Sequence, residues 1–228
     1  MNSKVSKLGV LIAVIIVLTW FASLMFGLTF EVDYTSPKLY VLILVQTHLY
    51  TGLFITSHDA MHGTVSGNRK VNAFFGYLTA TLFSFNLYGK LLPKHHEHHK
   101  YVATDKDPDY HHGGGVAWYF KFLKEYLTWQ QFLSMAIAFN LLQLILPTEN
   151  LVLFWMLPGI LSTTQLFYFG TYLPHKGNHS AQNKHKARSM KLNHALAFFS
   201  CYFFGYHYEH HASPATPWWR LWKMKETY

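Results

Sequence analysis

Two copies of the pattern His-x-x-His-His, near opposite ends of the chain, constrain this sequence more than any other feature. One copy begins at His95 and the other at His207, and a third pair, His58 and His62, has the spacing i, i+4. Helical residues three or four positions apart lie on one face, so each of these boxes presents several imidazoles together. Clustered imidazoles favour metal binding over simple packing, because imidazole is a common ligand of iron, copper and zinc.

The number of imidazoles in the boxes indicates two metal ions rather than one. A single ion takes about four to six ligands, which is too few for the whole set. Iron with open coordination positions can activate dioxygen, which favours iron, although zinc is compatible with the histidine count alone. The box residues are His58, His62, His95, His98, His99, His207, His210 and His211.

Composition and hydropathy indicate an integral membrane protein. Half of the 228 residues are hydrophobic and only 13% are charged, whereas about a quarter are charged in soluble proteins. Apolar stretches come close to the roughly 20 residues that cross a bilayer. These stretches are Leu8–Leu28, Leu39–Ser57, Gln131–Pro147 and Asn150–Tyr172. We interpret the first as a retained membrane helix, because it is too long for the core of a signal peptide.

The distribution of basic residues predicts the orientation in the membrane. If both termini and all three boxes are cytoplasmic, every one of the 19 Lys and Arg residues except Lys38 is also cytoplasmic. Val71–Leu92 then forms a re-entrant or interfacial helix pair, because a full crossing would separate His95–His99 from His58. Ala195–Gly205 is too short to span and is expected to dip into the interface.

The expected fold is therefore an all-α integral membrane protein with a histidine-rich metal site on its cytoplasmic side. We expect about four transmembrane helices plus re-entrant or interfacial helices, in a single domain covering residues 1–228. Membrane sidedness accounts for the net charge of +8, so no nucleic-acid partner is expected. The single cysteine, Cys201, excludes a disulfide within the chain.

A ninth ligand is expected where the last apolar stretch reaches the layer of the boxes. His175 lies just past the end of that stretch and is the favoured candidate. His48 lies within a predicted membrane helix and is interpreted as a satisfied polar group or a support for a ligand. The competing candidates for the ninth ligand are His179, His185, His194 and its neighbour Asn193.

Acidic residues near the boxes are expected to support the metal-binding imidazoles. A metal-bound imidazole usually donates its other N–H to a carboxylate or carbonyl group. Asp105 is interpreted as a solvated loop residue, and His96 and His111 as supporting or surface residues. The acids expected to support the site are Asp59, Glu97, Glu209, Asp107 and Asp109.

Longer motifs around the boxes resemble the beta-carotene ketolases, within the fatty-acid desaturase and hydroxylase superfamily. The resemblance runs from about residue 45 to residue 222. One local departure is Lys176, where relatives often have Arg, which preserves the charge but not the fork of donors. The segments that carry the resemblance are His58–Gly63, Lys94–His99, Asp107–His111, Phe169–Gly177, Ala187–Ser189, Gly205–His211 and Pro217–Leu221.

The resemblance implies oxidation of the C4 methylene of a beta-ionone ring to a ketone, from beta-carotene through echinenone to canthaxanthin. Two hydroxylations at one carbon give a geminal diol, which loses water. The implied cofactors are two iron ions, with O2 as co-substrate and reduced ferredoxin, or a similar electron-transfer protein, as donor. The implied ligands are the box histidines and His175, in a bacterial or cyanobacterial cell membrane; no substrate-binding residue is assigned.

Two alternatives remain at this point. A fatty-acyl desaturase, or an alkane or carotenoid hydroxylase, would use the same boxes on a different substrate or to a different outcome. A non-catalytic metal-binding or metal-transporting membrane protein would place polar ligands along a transmembrane path. The boxes gather at one face instead, which argues against transport.

Overall fold

The computed structural model describes the backbone of residues 3–227 and the side chains of residues 5–227, and all regular structure in that range is helical. The predicted cytoplasmic location of the two chain ends rests on residues outside the described range. The helices are α1 (Ser3–Leu28), α2 (Pro37–Met61), α3 (Arg69–Leu82), α4 (Tyr88–Tyr101), α5 (Gly115–Tyr126), α6 (Trp129–Leu142), α7 (Thr148–His175), α8 (His194–Cys201), α9 (His207–Ala212) and α10 (Leu221–Thr227).

Within the described range, the helices α1, α2 and α7 are long and apolar enough to cross a membrane. Large apolar side chains are exposed along their outer faces, among them Leu18, Phe21, Leu44 and Ile160. A continuous apolar surface of this kind is stable against lipid and unfavourable against water. The chain is therefore a membrane protein.

Short local signals set where several helices begin. Pro37 occupies the first turn of α2, where its missing N–H costs nothing, and Ser36 caps that end. Asn68 caps α3 through its side-chain oxygen. Thr128 and Gln131 form a reciprocal capping box at the start of α6. These polar caps satisfy backbone donors that would otherwise lie unpaired at helix ends.

The segment Val71–Leu92 folds as a helical hairpin, α3–α4, as predicted. The chain reverses at Ser84 and Phe85, whose φ angles of 56° and 55° are left-handed. Next to this turn, the Phe83 ring lies 6.1 Å from that of Tyr50, midway along α2. The tip of the hairpin therefore reaches the middle of the long helices and stops there.

The hairpin then returns the chain to the end from which it started. His95, on α4, lies with its Nε2 2.6 Å from the Nε2 of His62, at the end of α2. A segment that crossed completely would separate these two imidazoles by the thickness of the bilayer. The contact indicates that this strongly apolar stretch turns back instead of crossing the membrane.

The third predicted span, Gln131–Pro147, has a different form from the other three. Its regular part is α6, a helix of 14 residues, followed by turns up to Leu146. Its outer side chains are apolar and exposed, including Phe132, Ile137 and Leu141. Fourteen residues rise about 21 Å, less than the roughly 30 Å of a hydrocarbon core. The structure therefore gives a shorter apolar helix where the sequence predicts a fourth span.

The segment Ala195–Gly205, predicted to dip into the membrane interface, packs against α2. The rings of Phe198 and Tyr202 lie 5.2 and 4.3 Å from the ring of His48. His48 lies ten residues, or about 15 Å, before His58 on α2. Both ring nitrogens of His48 are buried without a hydrogen-bond partner among the described residues, so the prediction of a satisfied polar group is wrong.

Candidate metal centre

The three boxes converge at one end of the long helices. The last turns of α2 carry the first box, α4 carries the second and α9 carries the third, while α7 ends at His175. Among the described residues, nine histidines form two groups, and within each group the ligand atoms lie within 4.8 Å of one another. All nine belong to the set predicted from the sequence.

Group A joins five histidines from α2, α4 and α9. The Nε2 atoms of His62 and His95 are 2.6 Å apart, and those of His99 and His210 are 3.1 Å apart. The ring centroids of His58 and His95 lie 4.3 Å apart. The members of group A are His58, His62, His95, His99 and His210.

Group B joins four buried histidines from α4, α7 and α9. The Nε2 atom of His211 lies 3.1 Å from that of His98 and 3.0 Å from that of His207. His175 donates from Nδ1 to the carbonyl of Lys186 at 2.8 Å, so its Nε2 carries the lone pair. That Nε2 is buried and has no hydrogen-bond partner within the described part of the chain. The members of group B are His98, His175, His207 and His211.

Each His-x-x-His-His box divides between the two groups in the same way. The first and last histidines of a box stay together, as His95 and His99 do in group A, while the middle one, His98, joins group B. The third box mirrors this, with His207 and His211 in group B and His210 in group A. Around a helix, residue i+4 lies about 40° from residue i in one direction, whereas residue i+3 lies about 60° from residue i in the opposite direction. The middle histidine of each box therefore faces away from the other two.

The donor set fits two metal ions. Ligands bound at about 2.1 Å and at right angles are roughly 3 Å apart. Three of the four Nε2–Nε2 distances given above, at 3.0 to 3.1 Å, are close to this value. Burial, followed by repulsion from neighbouring imidazoles, holds the pKa of His207, His210 and His211 well below its usual value. Neutral rings keep their lone pairs, and converging lone pairs are favourable only around a cation.

Asp107 orients one member of group B. His98 donates from Nδ1 to the Asp107 carboxylate at 2.9 Å, which leaves its Nε2 facing His211. The same carboxylate accepts backbone N–H groups of Ala103 and Asp109 at 2.9 and 2.8 Å. Burial acts to raise the pKa of Asp107, but the hydrogen bonds from His98 and from these backbone donors outweigh burial and lower it. The carboxylate therefore stays ionised.

Asp109 lies behind the same imidazole. Its carboxylate is 3.8 Å from His98 Nδ1 and accepts a short hydrogen bond from the hydroxyl of Tyr126. Burial acts against a charged His98, yet the carboxylates of Asp109 and Asp107 raise the pKa of this histidine. Both carboxylates therefore lie between the loop after α4 and the His98 imidazole of group B.

The acids within the boxes differ in their placement. Glu209 is buried and accepts hydrogen bonds from Ser189 at 2.6 Å and Lys225 at 3.1 Å. Asp59 is buried and accepts the backbone N–H of Trp218 at 3.2 Å. Both tie the boxes to the C-terminal segment. The structure does not bring Glu97 to the centre, because it is exposed on α4, away from the buried face that carries His98.

The competing candidates for the ninth ligand lie outside both groups. His194 bonds to the hydroxyl of Tyr206 at 3.0 Å, and Asn193 caps α8. His179 donates to the carbonyl of His175 at 3.2 Å and so supports the loop after α7. His185 has its ring 6.2 Å from that of His211, at the rim of group B.

Sequence reasoning did not find several supporting groups. The carbonyl of Lys186 fixes the tautomer of His175, and a backbone acceptor leaves no sequence signal. Lys121 donates to the carbonyls of Asp107 and Pro108 at 2.9 and 2.8 Å. The last turns of α7, Phe167–Tyr172, are π-helical, which changes the direction of the residues that follow. Ser189 lies in Ala187–Ser189, one of the segments that carry the family resemblance, but no role was predicted for it.

An apolar cavity of about 350 Å³ opens beside both groups. Histidines of group A and of group B form part of its wall, and most of the rest is apolar. Its size falls in the range of small-molecule sites, which are concave and mostly apolar with few polar groups. The cavity is lined by residues that include His58, His95, His98, His207, Phe54, Phe83, Phe122, Met135 and Leu166.

The fold and the site define a membrane-embedded, all-helical protein with a histidine-rich centre beside an apolar cavity. The chain belongs to the fatty acid desaturase family, whose model matches residues 35–143 and 118–227. No solved structure matches the chain.

Three curated relatives are similar to this chain over most of its length. A beta-carotene ketolase from a Paracoccus sp. strain is 44% identical over 77% of this chain and 74% of its own length. Another from Paracoccus sp. strain PC1 is 40% identical over 93% of this chain and 90% of its own. A zeaxanthin 4-ketolase from Chlamydomonas reinhardtii is 38% identical over 96% of this chain. The match covers about half (53%) of the length of that relative.

Proposed function

We propose that this protein is a carotenoid ketolase that converts the C4 methylene of a beta-ionone ring to a ketone. The observation that carries the proposal is the apolar cavity whose wall includes histidines of both groups. An apolar ring end in that cavity lies directly beside the centre. The names of the relatives agree with this substrate class.

The nine histidines of groups A and B are proposed to hold two iron ions. Iron bound there would activate O2 and supply the oxidant. The protein's own residues orient the ligands: Asp107 fixes the tautomer of His98, and the Lys186 carbonyl fixes that of His175. Supporting contacts of this kind set the direction and basicity of the ligand nitrogen.

The cavity accounts for a ketone rather than an alcohol as the product. Each hydroxylation consumes one O2, two electrons and two protons, inserts one oxygen atom into a C–H bond and releases the other as water. A ring held by apolar walls presents the same carbon after the first hydroxylation. A second hydroxylation then gives a geminal diol, and loss of water leaves the carbonyl group.

The arrangement in the membrane belongs to the same proposal. We propose one domain over residues 1–228, with the histidine centre and both termini on the cytoplasmic side. The distribution of Lys and Arg supports this orientation. A carotenoid dissolved in the bilayer would enter the cavity laterally, and a ferredoxin-like protein would supply electrons from the cytoplasm.

Pigment analysis in a host that makes beta-carotene tests the function. We expect a mono-ketone first and a diketone later, with absorption shifting to longer wavelength as each carbonyl extends the conjugation. A His98→Ala variant, which lacks one member of group B, is the matched control and should leave beta-carotene unchanged. Accumulation of only a hydroxylated ring would make the protein a ring hydroxylase. Unchanged carotenoids with altered acyl-chain unsaturation would make it a desaturase.

A further inference from the structure

The proposed reaction needs electrons that neither substrate supplies. Each hydroxylation takes two electrons from the C–H bond and two more from outside to reduce O2 completely. A carrier that delivers one electron at a time must therefore approach the histidine centre twice for each hydroxylation. The place where it docks is a property of the protein surface near the centre.

The loop between α7 and α8 carries an unusual concentration of positive charge. We call residues 176–191 the basic loop. It contains no Asp or Glu, and the sequence has none between Glu149 and Glu209. Lys184, Arg188 and Lys191 are exposed. The basic residues of the loop are Lys176, Lys184, Lys186, Arg188 and Lys191.

Neutral partners leave the charge of the basic loop uncompensated. Arg188 donates to the carbonyls of Lys176 and Asn178 at 2.5 and 3.0 Å. Lys186 donates to the carbonyl of Ser180 at 3.3 Å. These bonds fix the shape of the loop without neutralising it. Glu209, which accepts a hydrogen bond from Ser189 within the loop, is buried and already paired with Lys225.

The basic loop is also in direct contact with group B. The carbonyl of Lys186 accepts the hydrogen bond from His175 at 2.8 Å. His185, in the same loop, places its ring 6.2 Å from that of His211. The charged surface and the histidine centre are therefore separated by a single layer of loop residues.

Three basic residues on and after α4 have acidic neighbours instead. Lys94 forms an ion pair with Glu125 at 2.7 Å. Lys106 directly follows Asp105, and Lys100 lies close enough to Glu97 for their charges to interact. Among the residues that the structure describes, no ion pair joins a cation of the basic loop to an acid, and this distinguishes the loop from the surface around α4.

We propose that the basic loop is the docking surface for an acidic one-electron carrier protein, which reduces the centre through group B. This inference rests on the proposed function, because it assigns a reductant to that reaction. Charge complementarity speeds the encounter of a cationic patch with an acidic partner and makes it sensitive to salt. The short connection through Lys186 and His175 gives the electron a covalent and hydrogen-bonded route.

Charge reversal at two exposed positions tests the docking surface. Lys184→Glu combined with Lys191→Glu changes the loop without touching its internal hydrogen bonds. The matched control, Lys70→Glu with Lys106→Glu, reverses two exposed charges outside the loop. Purified full-length protein in neutral detergent is titrated with reduced [2Fe–2S] ferredoxin as the acidic carrier, and dithionite serves as a small reductant.

The loop variant should raise the KM for ferredoxin, and the Kd of the complex, by about tenfold or more. Iron content and turnover with dithionite should stay within about twofold of the original protein. Ferredoxin affinity that changes equally in the control pair would overturn the proposal. So would a defect that appears only in anionic vesicles, since the loop would then bind lipid.

The binding measurement separates this inference from the proposed function. Salt-sensitive ferredoxin binding that is lost in the loop variant supports the docking surface even if beta-carotene is not oxidised. Oxidation of beta-carotene with dithionite, together with ferredoxin binding that is the same in both variants, supports the proposed function and rejects the docking surface.

Discussion

The carboxylate of Asp107 accepts a hydrogen bond from His98 Nδ1 at 2.9 Å, on the side of the imidazole opposite to His211. The bond fixes the tautomer and aims Nε2 at group B. A side chain nine positions along the chain therefore determines how one box histidine faces its neighbours.

Asp107→Asn should weaken metal binding at group B. Loss of a supporting carboxylate typically costs 10–100-fold in metal affinity. Iron per chain, measured after dialysis against a weak chelator, should fall from about two toward about one. Asp105→Asn is the matched control, because Asp105 is exposed and its side chain pairs with exposed His112, away from group B. Equal iron retention in both variants would contradict the role of Asp107.

His175→Ala should remove iron from group B, because the buried Nε2 of His175 lies among the other three imidazoles. His179→Ala, four residues on, removes an imidazole that bonds to the carbonyl of His175 and belongs to neither group. We expect iron content and ketone formation to fall strongly in the first variant and little in the second. Full iron content without His175 would mean that the ninth ligand is another group, with His194 tested next.

The adjacent residues His95 and His96 should respond differently to the same substitution. His95 faces group A, whereas His96 is exposed on α4. His95→Gln should lower the iron bound per chain, and His96→Gln should leave it near two. Metal analysis and the pigment assay measure the pair. Loss of iron in His96→Gln alone would show that the second box uses a different set of nitrogens.

Gly76→Ala should destabilise the α3–α4 hairpin. A Cβ at this position would lie 2.5 Å from the buried ring of Tyr88, so either that ring or the two helices would have to shift. Overpacking of this kind costs about 1–3 kcal/mol. Gly89→Ala is the control, because its Cβ would meet only the Tyr77 hydroxyl at an ordinary 3.7 Å. Thermal unfolding in detergent should separate the variants, and an unchanged midpoint for Gly76→Ala would reject close packing here.

Cysteine labelling should divide four exposed positions into two pairs. Tyr34 bonds to Glu149 at 2.5 Å, which places Thr35 and Thr148 at one end of the molecule. Lys100 and Ser180 lie near the histidine centre at the other end. A membrane-impermeant maleimide applied to whole cells should label cysteine at 35 and 148 and not at 100 and 180. The native Cys201 is buried and stays unlabelled. External labelling at 100 would reverse the proposed orientation.

Helical periodicity predicted much of this architecture because it acts over short distances along the chain. It correctly placed His95, His98 and His99 on one broad face of α4. It did not predict that His98 leaves its neighbours for group B, because that depends on the crossing of α4 and α9. The hairpin tip at Ser84 and the backbone acceptor at Lys186 also depend on tertiary packing. Neither a serine nor a lysine is diagnostic of such a role in a sequence.

The division of each box between the two groups would make the two proposed metal positions thermodynamically linked. Both α4 and α9 contribute imidazoles to group A and to group B, so neither helix can shift without changing both groups. An ion bound at one proposed position would order the helices that complete the other, and a second ion would then bind at a lower entropic cost. Occupancy is therefore expected to rise cooperatively, with few half-loaded molecules at intermediate iron concentrations.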